Sequence, residues 1–292
     1  MSCPAALVRE ATSPQGTDVH FDAPNPTGGR PPYNVQCDPG SSSIFANGDT
    51  TVSCTATDAD TAQASCGFGV TVRVSQTIKK TKFMAFGDSI TDGKVSLVPL
   101  ISLAGPETYP YKLEQMLRQR FPTQAITVSN EGKSGEKTTQ GEDRLPGVLD
   151  LEQPEVLLLL EGVNAVRELA TSRQASALQH MIRDAQEHGV DVIIATVMPI
   201  SEQRQKDKPG TMEKIRALNE EILDLADDFD LGPVVDLFTL FEANPHLLGA
   251  DGLHPTAEGQ TQIAEAFGDE IVRRYGGETT TSLGFSSTRR TR

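Results

Sequence analysis

Phe83-Met84-Ala85-Phe86-Gly87-Asp88-Ser89-Ile90-Thr91-Asp92-Gly93 passes from an unbroken apolar run into a polar turn. Four consecutive apolar residues bounded by turn formers predict a strand covered on both faces. Ser89 stands where that strand gives way to the turn. A serine there can hold its hydroxyl above the sheet, beside the N-terminus of a helix. It would serve equally as an N-cap or turn residue. The pattern is not Gly-x-Ser-x-Gly, so the strained nucleophile elbow of that motif is not implied.

Downstream of Lys82 the same grammar repeats. Strand-like runs are read at Phe83–Phe86, Ala125–Ser129, Glu155–Leu160, Asp191–Val197 and Val234–Leu237. Helical patterns lie between and after them, near Tyr109–Arg120, Val163–His188, Met212–Asp227 and Ala257–Tyr275. Alternation of this kind predicts an α/β domain over 82–275, with parallel strands and helices on both faces. Ligands of such sheets bind beyond the carboxyl ends of the strands.

Upstream, residues 1–78 are rich in Thr, Ser, Gly, Pro and Asp and show no helical period. Short alternating runs (Thr17–Phe21, Tyr33–Cys37, Thr50–Thr57, Cys66–Val74) are separated by turn clusters such as Asn47-Gly48-Asp49. This predicts a small antiparallel β-sandwich. All four cysteines, Cys3, Cys37, Cys54 and Cys66, fall in this segment. An even number in so small a region reads as two disulfides formed in an oxidising compartment, with three pairings open. Free thiols are one alternative. Zinc is the other, but it favours closely spaced pairs, and no two cysteines here are nearer than 12 positions. The first 20 residues lack the apolar run of a signal peptide. Set against the cysteines, this leads to the expectation of a secreted or extracytoplasmic protein whose Met1 begins a trimmed chain.

Across 292 residues, 37% hydrophobic and 23% charged residues allow a packed core rather than a disordered tail or a fibre. The longest strictly apolar run, Val156 to Leu160, has five residues, against about 20 for a membrane span. The formal net charge of −14 disfavours nucleic acid and anionic lipid as partners. Most of it, 32 acids against 20 bases, sits in 79–275 and reads as a solvated face. The Thr/Ser/Gly-rich 276–292 reads as a disordered tail.

Three further segments share the predicted position of Ser89. After the second strand come Asn130-Glu131-Gly132-Lys133-Ser134-Gly135-Glu136, whose glycines allow a tight turn and bared backbone N–H groups. After the third come Glu161-Gly162-Val163-Asn164-Ala165, where Asn164 can offer side-chain N–H to a developing negative charge or cap a helix. Before the last helix come Asp251-Gly252-Leu253-His254-Pro255. The three-residue spacing lets Asp251 reach His254, fix its tautomer and stabilise the imidazolium. His20 falls in the β segment and His180 and His188 on a surface-like helix, while spacing alone leaves His246, in a loop after Pro245, open. A nucleophile, an oriented base and oxyanion donors together make an acyl-transfer site.

These four segments, in this order, resemble the SGNH (also called GDSL) hydrolase superfamily over about 82–275. The resemblance implies a flavodoxin-like α/β/α sandwich with five parallel strands. It further implies a Ser-His-Asp triad of Ser89, His254 and Asp251. Its oxyanion hole would be formed by Ser89 N–H, Gly135 N–H and the Asn164 side chain, with Gly135 a better match than Gly132. No metal or cofactor is implied. One departure is clear: the family's Gly-x-Asn-Asp block here ends in Ala165, which puts the anchoring of Asn164 in question. Residues 1–78, through Val52–Asp58 and Ala64–Val72, resemble the hyalin-repeat (HYR) module, an immunoglobulin-like extracellular domain.

The implied reaction is two-step ester hydrolysis through an acyl-enzyme on Ser89, with activity falling as acid protonates His254. The substrate expected is a small acyl ester or an acylated polymer, short carboxylic esters first and acetyl groups on carbohydrate second. Val95, Leu97, Val98, Leu100, Ile101 and Leu103 are candidates for an acyl-pocket wall or for a loop packed on the core. Trp is absent, and Tyr109 and Tyr111 are the nearby candidates for stacking a sugar. An acyltransferase on the same triad and an inactive extracellular binding protein are the competing readings. For the β domain, a spacer role competes with contact to a cell surface or polymer.

Overall fold

A computed structural model describes residues 1–11, 15–73, 77–95, 101–102 and 105–276. The chain divides into two compact units, 1–76 and 77–292.

The first unit is built from strands β1 (Leu7–Glu10), β2 (Thr17–Val19), β3 (Asn34–Asp38), β4 (Ser43–Phe45), β5 (Gly48–Thr57) and β6 (Gln63–Arg73). One sheet has the order β1-β6-β5-β3; β1 runs parallel to β6 and the other pairs are antiparallel. β2 and β4 form a separate antiparallel pair. Alternation along β5 and β6 turns Val52, Cys54, Phe68, Val70 and Val72 inward, where Phe21 meets Phe68 edge-on at 5.0 Å. Disulfides join Cys3 to Cys66 and Cys37 to Cys54. They close loops spanning 63 and 17 positions. Loops of that size restrict the unfolded chain by an amount worth about 3–4 kcal/mol each in the chain-entropy model.

The second unit opens with β7 (Lys82–Gly87), the one-turn helix α1 (Ser89–Asp92), the short antiparallel pair β8 (Lys94–Val95) and β9 (Ile101–Ser102), and α2 (Tyr109–Arg120). It continues through β10 (Thr127–Gly132), α3 (Thr138–Glu152), β11 (Val156–Leu160), α4 (Thr171–Glu187) and β12 (Asp191–Ile194). It closes with α5 (Glu202–Asp207), α6 (Thr211–Asp228), α7 (Leu237–Ala243) and α8 (Ala257–Tyr275). The sheet is parallel, in the order β10-β7-β11-β12. Every residue of β11 is buried, as a strand covered on both faces requires. α2 packs with α8, and α3 and α6 pack on α4.

Several expectations are corrected. The fifth strand at Val234–Leu237 shrinks to a single parallel bridge, Ala195 to Val235, because α7 begins at Leu237 with Asp236 as its cap. The second strand runs to Gly132, so Asn130–Gly132 lie within it rather than after it. The helix expected from Val163 starts only at Thr171. α3 went unread because Gly141, Pro146 and Gly147 mask its pattern, although Leu145 and Leu149 are buried. Leu97, Val98, Leu100 and Leu103 of the expected acyl wall, Val74, and 277–292 of the expected tail lie outside the described residues.

Candidate active site

β7 delivers Ser89 to the carboxyl edge of the sheet. Asp88 caps α1 by accepting from Ile90 N at 2.9 Å, which fixes the turn that carries the serine. Behind it, buried Gln260 of α8 accepts from Tyr109 N at 2.8 Å and donates to Ile90 O at 3.0 Å. These bonds tie the starts of α1 and α2 to the last helix. Tyr109 is wholly buried, stacked on Phe267 at 5.6 Å, and so is a core residue rather than a sugar platform. Tyr111 is exposed.

The loop ahead of α8 folds on its own carboxylate. Asp251 Oδ1 accepts from Leu253 N and His254 N, each at 3.0 Å. Its Oδ2 lies 2.5 Å from His254 Nδ1. His254 Nε2 lies 2.9 Å from Ser89 Oγ. The first contact puts the imidazole proton on Nδ1 and leaves Nε2 to accept from the serine hydroxyl. Half-burial raises the Asp251 carboxyl, but the bonds from His254 and Leu253 outweigh that and hold it below the ordinary range. Arg204 of α5 donates to Asp251 O at 2.9 Å and pins the loop from outside.

The two candidate glycines separate cleanly. A Cβ on Gly132 would stand 2.0 Å from Asp92 N, so this glycine allows β10 to press against α1. Gly135 has φ +78° with open space around it, a left-handed turn after which Glu136 N bonds back to Lys133 O. Neither Ser89 N–H nor Gly135 N–H has an acceptor among the described residues. Asn164 sits in the turn after β11. Its Nδ2 donates to Glu136 O at 2.9 Å and, more loosely, to Asp88 Oδ2 at 3.3 Å. These bonds anchor Asn164 without a carboxylate at 165, where Ala165 is fully buried.

Beneath this edge lies a cluster that sequence reasoning missed. Asp88, Glu136 and Glu161 are all buried, and two cations, Arg144 and the exposed Lys133, pair with Glu136. Arg144 of α3 forks onto Glu136, with Nε at 2.9 Å and Nη2 at 2.6 Å, and donates to Glu131 O at 2.9 Å. Its guanidinium rests over the Phe86 ring at 4.0 Å. Neither carboxyl oxygen of Glu161 has a partner among the described residues. Burial, then the charges of Asp88 and Glu136, push the Glu161 carboxyl well above its usual range. Burial, opposed by the bond from Ile90 and aided by Glu136, pushes Asp88 up to about 7. Both cations are spent on Glu136, so Asp88 and Glu161 cannot ionise cheaply beside it, and protons are retained on them towards neutral pH. The signal was present in Glu161, an acid ending a five-residue apolar run, but Arg144 lay hidden in the unread helix.

His180 and His188 are exposed on and just after α4, His180 beside Glu142 at 2.5 Å, and neither approaches Ser89. Among the described residues no group of three or more His, Cys, Asp or Glu side chains is arranged to hold a metal ion. No described helix is long and apolar enough to cross a membrane.

A hydroxyl, an imidazole and a carboxylate in hydrogen-bonded series, at the carboxyl edge of a parallel sheet, can carry out acyl transfer. Comparison with known proteins agrees. Residues 85–262, more than half of the chain, match the GDSL-like lipase/acylhydrolase family. An arylesterase of Vibrio mimicus is 27% identical over 195 residues, covering 66% of this chain and 88% of that protein. The lipase/acylhydrolase from Enterococcus faecalis superposes with a TM-score of 0.58 at 24% identity, covering 67% of this chain and 97% of that one. A carbohydrate acetylesterase family member from Sinorhizobium meliloti superposes with a TM-score of 0.56 at 19% identity, covering 66% and 98%. The chain therefore belongs to the GDSL-like lipase/acylhydrolase family and is a carboxylic ester hydrolase.

Proposed function

We propose that Ser89 is the nucleophile, His254 the general base and acid, and Asp251 the group that orients and stabilises the imidazolium. The single observation that carries this is the series Ser89 Oγ–His254 Nε2–His254 Nδ1–Asp251 Oδ2, at 2.9 and 2.5 Å. His254 takes the Ser89 proton as Oγ attacks the ester carbonyl. Ser89 N–H and Gly135 N–H hold the oxyanion, joined by Asn164 Nδ2 as it gives up its loose 3.3 Å bond to Asp88 while keeping the one to Glu136 O. The alcohol leaves with the proton from His254. Water deprotonated by His254 then cleaves the acyl-enzyme and restores Ser89.

Short acyl esters are the proposed substrates, with acetyl groups on carbohydrate a specific case. The names of the Vibrio arylesterase and the Sinorhizobium carbohydrate acetylesterase support that order. For 1–78 we propose an immunoglobulin-like, HYR-type module of a secreted or extracytoplasmic protein. Its two disulfides, the mark of an oxidising environment, and its largely antiparallel sheets support this.

The test is hydrolysis of p-nitrophenyl acetate, butyrate and octanoate by the parent chain and by Ser89→Ala. The expected result is turnover by the parent, steepest on acetate and butyrate, and a fall in Ser89→Ala of roughly 10⁵–10⁶ in kcat. Equal turnover by a folded Ser89→Ala would remove Ser89 from the mechanism.

A further inference from the structure

A cavity of about 380 Å³ opens beside Asn164 and Leu253, framed by the loops that follow β11 and β12. Its rim carries Arg167, Arg204 and Lys208. None of the three forms an ion pair among the described residues. The nearest acid on the rim, Glu168, is engaged by Lys137. Arg204 and Lys208 are half-buried, so their charges are less screened than those of a free surface. Three uncompensated cations around one cavity are unexpected in a chain with a formal net charge of −14. A larger cavity, about 560 Å³, lies against Asp191 and Tyr275 at the opposite, amino end of β12 and has no such relation to Ser89.

We infer that this cavity is a subsite for a carboxylate carried on the ester, so that the enzyme's preferred substrates are anionic esters with the charge a few atoms from the scissile bond. The catalytic assignment above supplies the position of that bond; the subsite itself rests on the cavity and its cations. Arg167, in the stretch between β11 and α4, and Lys208, the C-cap of α5, both line it. Arg204 joins the subsite to the triad, because the same side chain donates to Asp251 O. A carboxylate bound here draws on charge-assisted hydrogen bonds, which a neutral ester of equal size cannot make. Discrimination of this kind comes from the cost of leaving built polar groups unpaired.

Two matched pairs test it. 4-Acetoxybenzoate against 4-acetoxybenzamide places the charge on the alcohol half. The mono-p-nitrophenyl ester of adipic acid against p-nitrophenyl hexanoate places it on the acyl half. The quantity read is the ratio of kcat/KM, anionic over neutral, in the parent and in Arg167→Gln/Lys208→Gln. Arg204 is left intact because changing it would move Asp251. The expected result is a parent ratio of about tenfold in one pair, falling to near one in the double variant and shrinking with added salt. Ratios at or below one in both pairs, or a preference that survives the double variant, would overturn the inference. Calorimetric binding of the same compounds to Ser89→Ala, with and without the two rim changes, reads the subsite without turnover. No carboxylate preference in Ser89→Ala with the rim intact, or a preference that survives the rim changes, sinks the subsite whatever Ser89 does. A preference that depends on the rim, beside an inactive parent, would instead sink the catalytic assignment.

Discussion

Two regions press acidic groups against the same serine, and they treat them in opposite ways. In the loop 249–256, the Asp251 carboxylate keeps part of its surface in water and accepts from Leu253 N, His254 N and His254 Nδ1. It stays a carboxylate. In the floor under α1, Asp88 and Glu161 are buried with few donors, and they keep their protons far longer. The difference shows that proximity to Ser89 does not set a carboxyl's protonation; the supply of donors and water does. The loop carboxylate can stabilise a positive imidazolium. The floor carboxyls cannot do so while protonated, and their effect runs through Asn164, which leans on Asp88 and on the Glu136 carbonyl.

The two regions should differ most at Asp251. Asp251→Asn keeps the shape but removes the charge and offers Nδ1 a donor where it needs an acceptor. Steady-state kinetics should show kcat lower by roughly 10³–10⁴ with KM little changed. A loss below tenfold would mean that the loop carboxylate is no more involved than those of the floor.

A smaller effect separates the regions by pH. Asp88 has a raised folded value of about 7, so its stabilising share is complete at low pH and is lost as pH rises from about 4 towards 7. Asp251 has a lowered value, so its share is present near neutrality and is lost only as acid titrates it. Melting temperatures of the parent and Asp88→Asn, taken from pH 4 to pH 8, should converge at the acid end. The variant should gain relative to the parent as pH rises, since Asn still caps α1 without acquiring charge. Parallel curves would contradict the raised value.

The smallest effect sharpens the floor itself. Glu161→Met replaces an unpartnered carboxyl with an apolar chain of similar length. At pH 8 the denaturant midpoint should rise, by about 1–2 kcal/mol in stability. A fall of that size would show that Glu161 is held by a partner after all.

The loop was legible in the sequence because its chemistry is local. Asp251 and His254 are three residues apart, and the bond between them needs no knowledge of the rest of the chain. Ser89 and Asn164 were legible because both sit at strand ends, and the strands announce themselves as apolar runs. The floor is non-local. It needs α3 to bring Arg144 over Phe86, and α3 carries Pro146 and two glycines that erase its helical pattern. Five parallel strands were expected, but the chain at Val234–Leu237 joins the sheet through one bridge because Asp236 starts a helix there. Reading Gly132 and Gly135 apart also required coordinates, since a close approach to Asp92 and a left-handed turn look alike as letters.

Covalent acylation of Ser89 is the step on which the proposed mechanism turns. Intact-mass analysis and peptide mapping after treatment with an ethyl p-nitrophenyl phosphonate test it directly, because the reagent phosphonylates a serine activated by an adjacent imidazole. The expected result is one adduct per chain, on the peptide containing Ser89, absent from Ser89→Ala and strongly slowed in His254→Ala. An adduct on another residue, or none on a parent chain that hydrolyses p-nitrophenyl acetate, would contradict it.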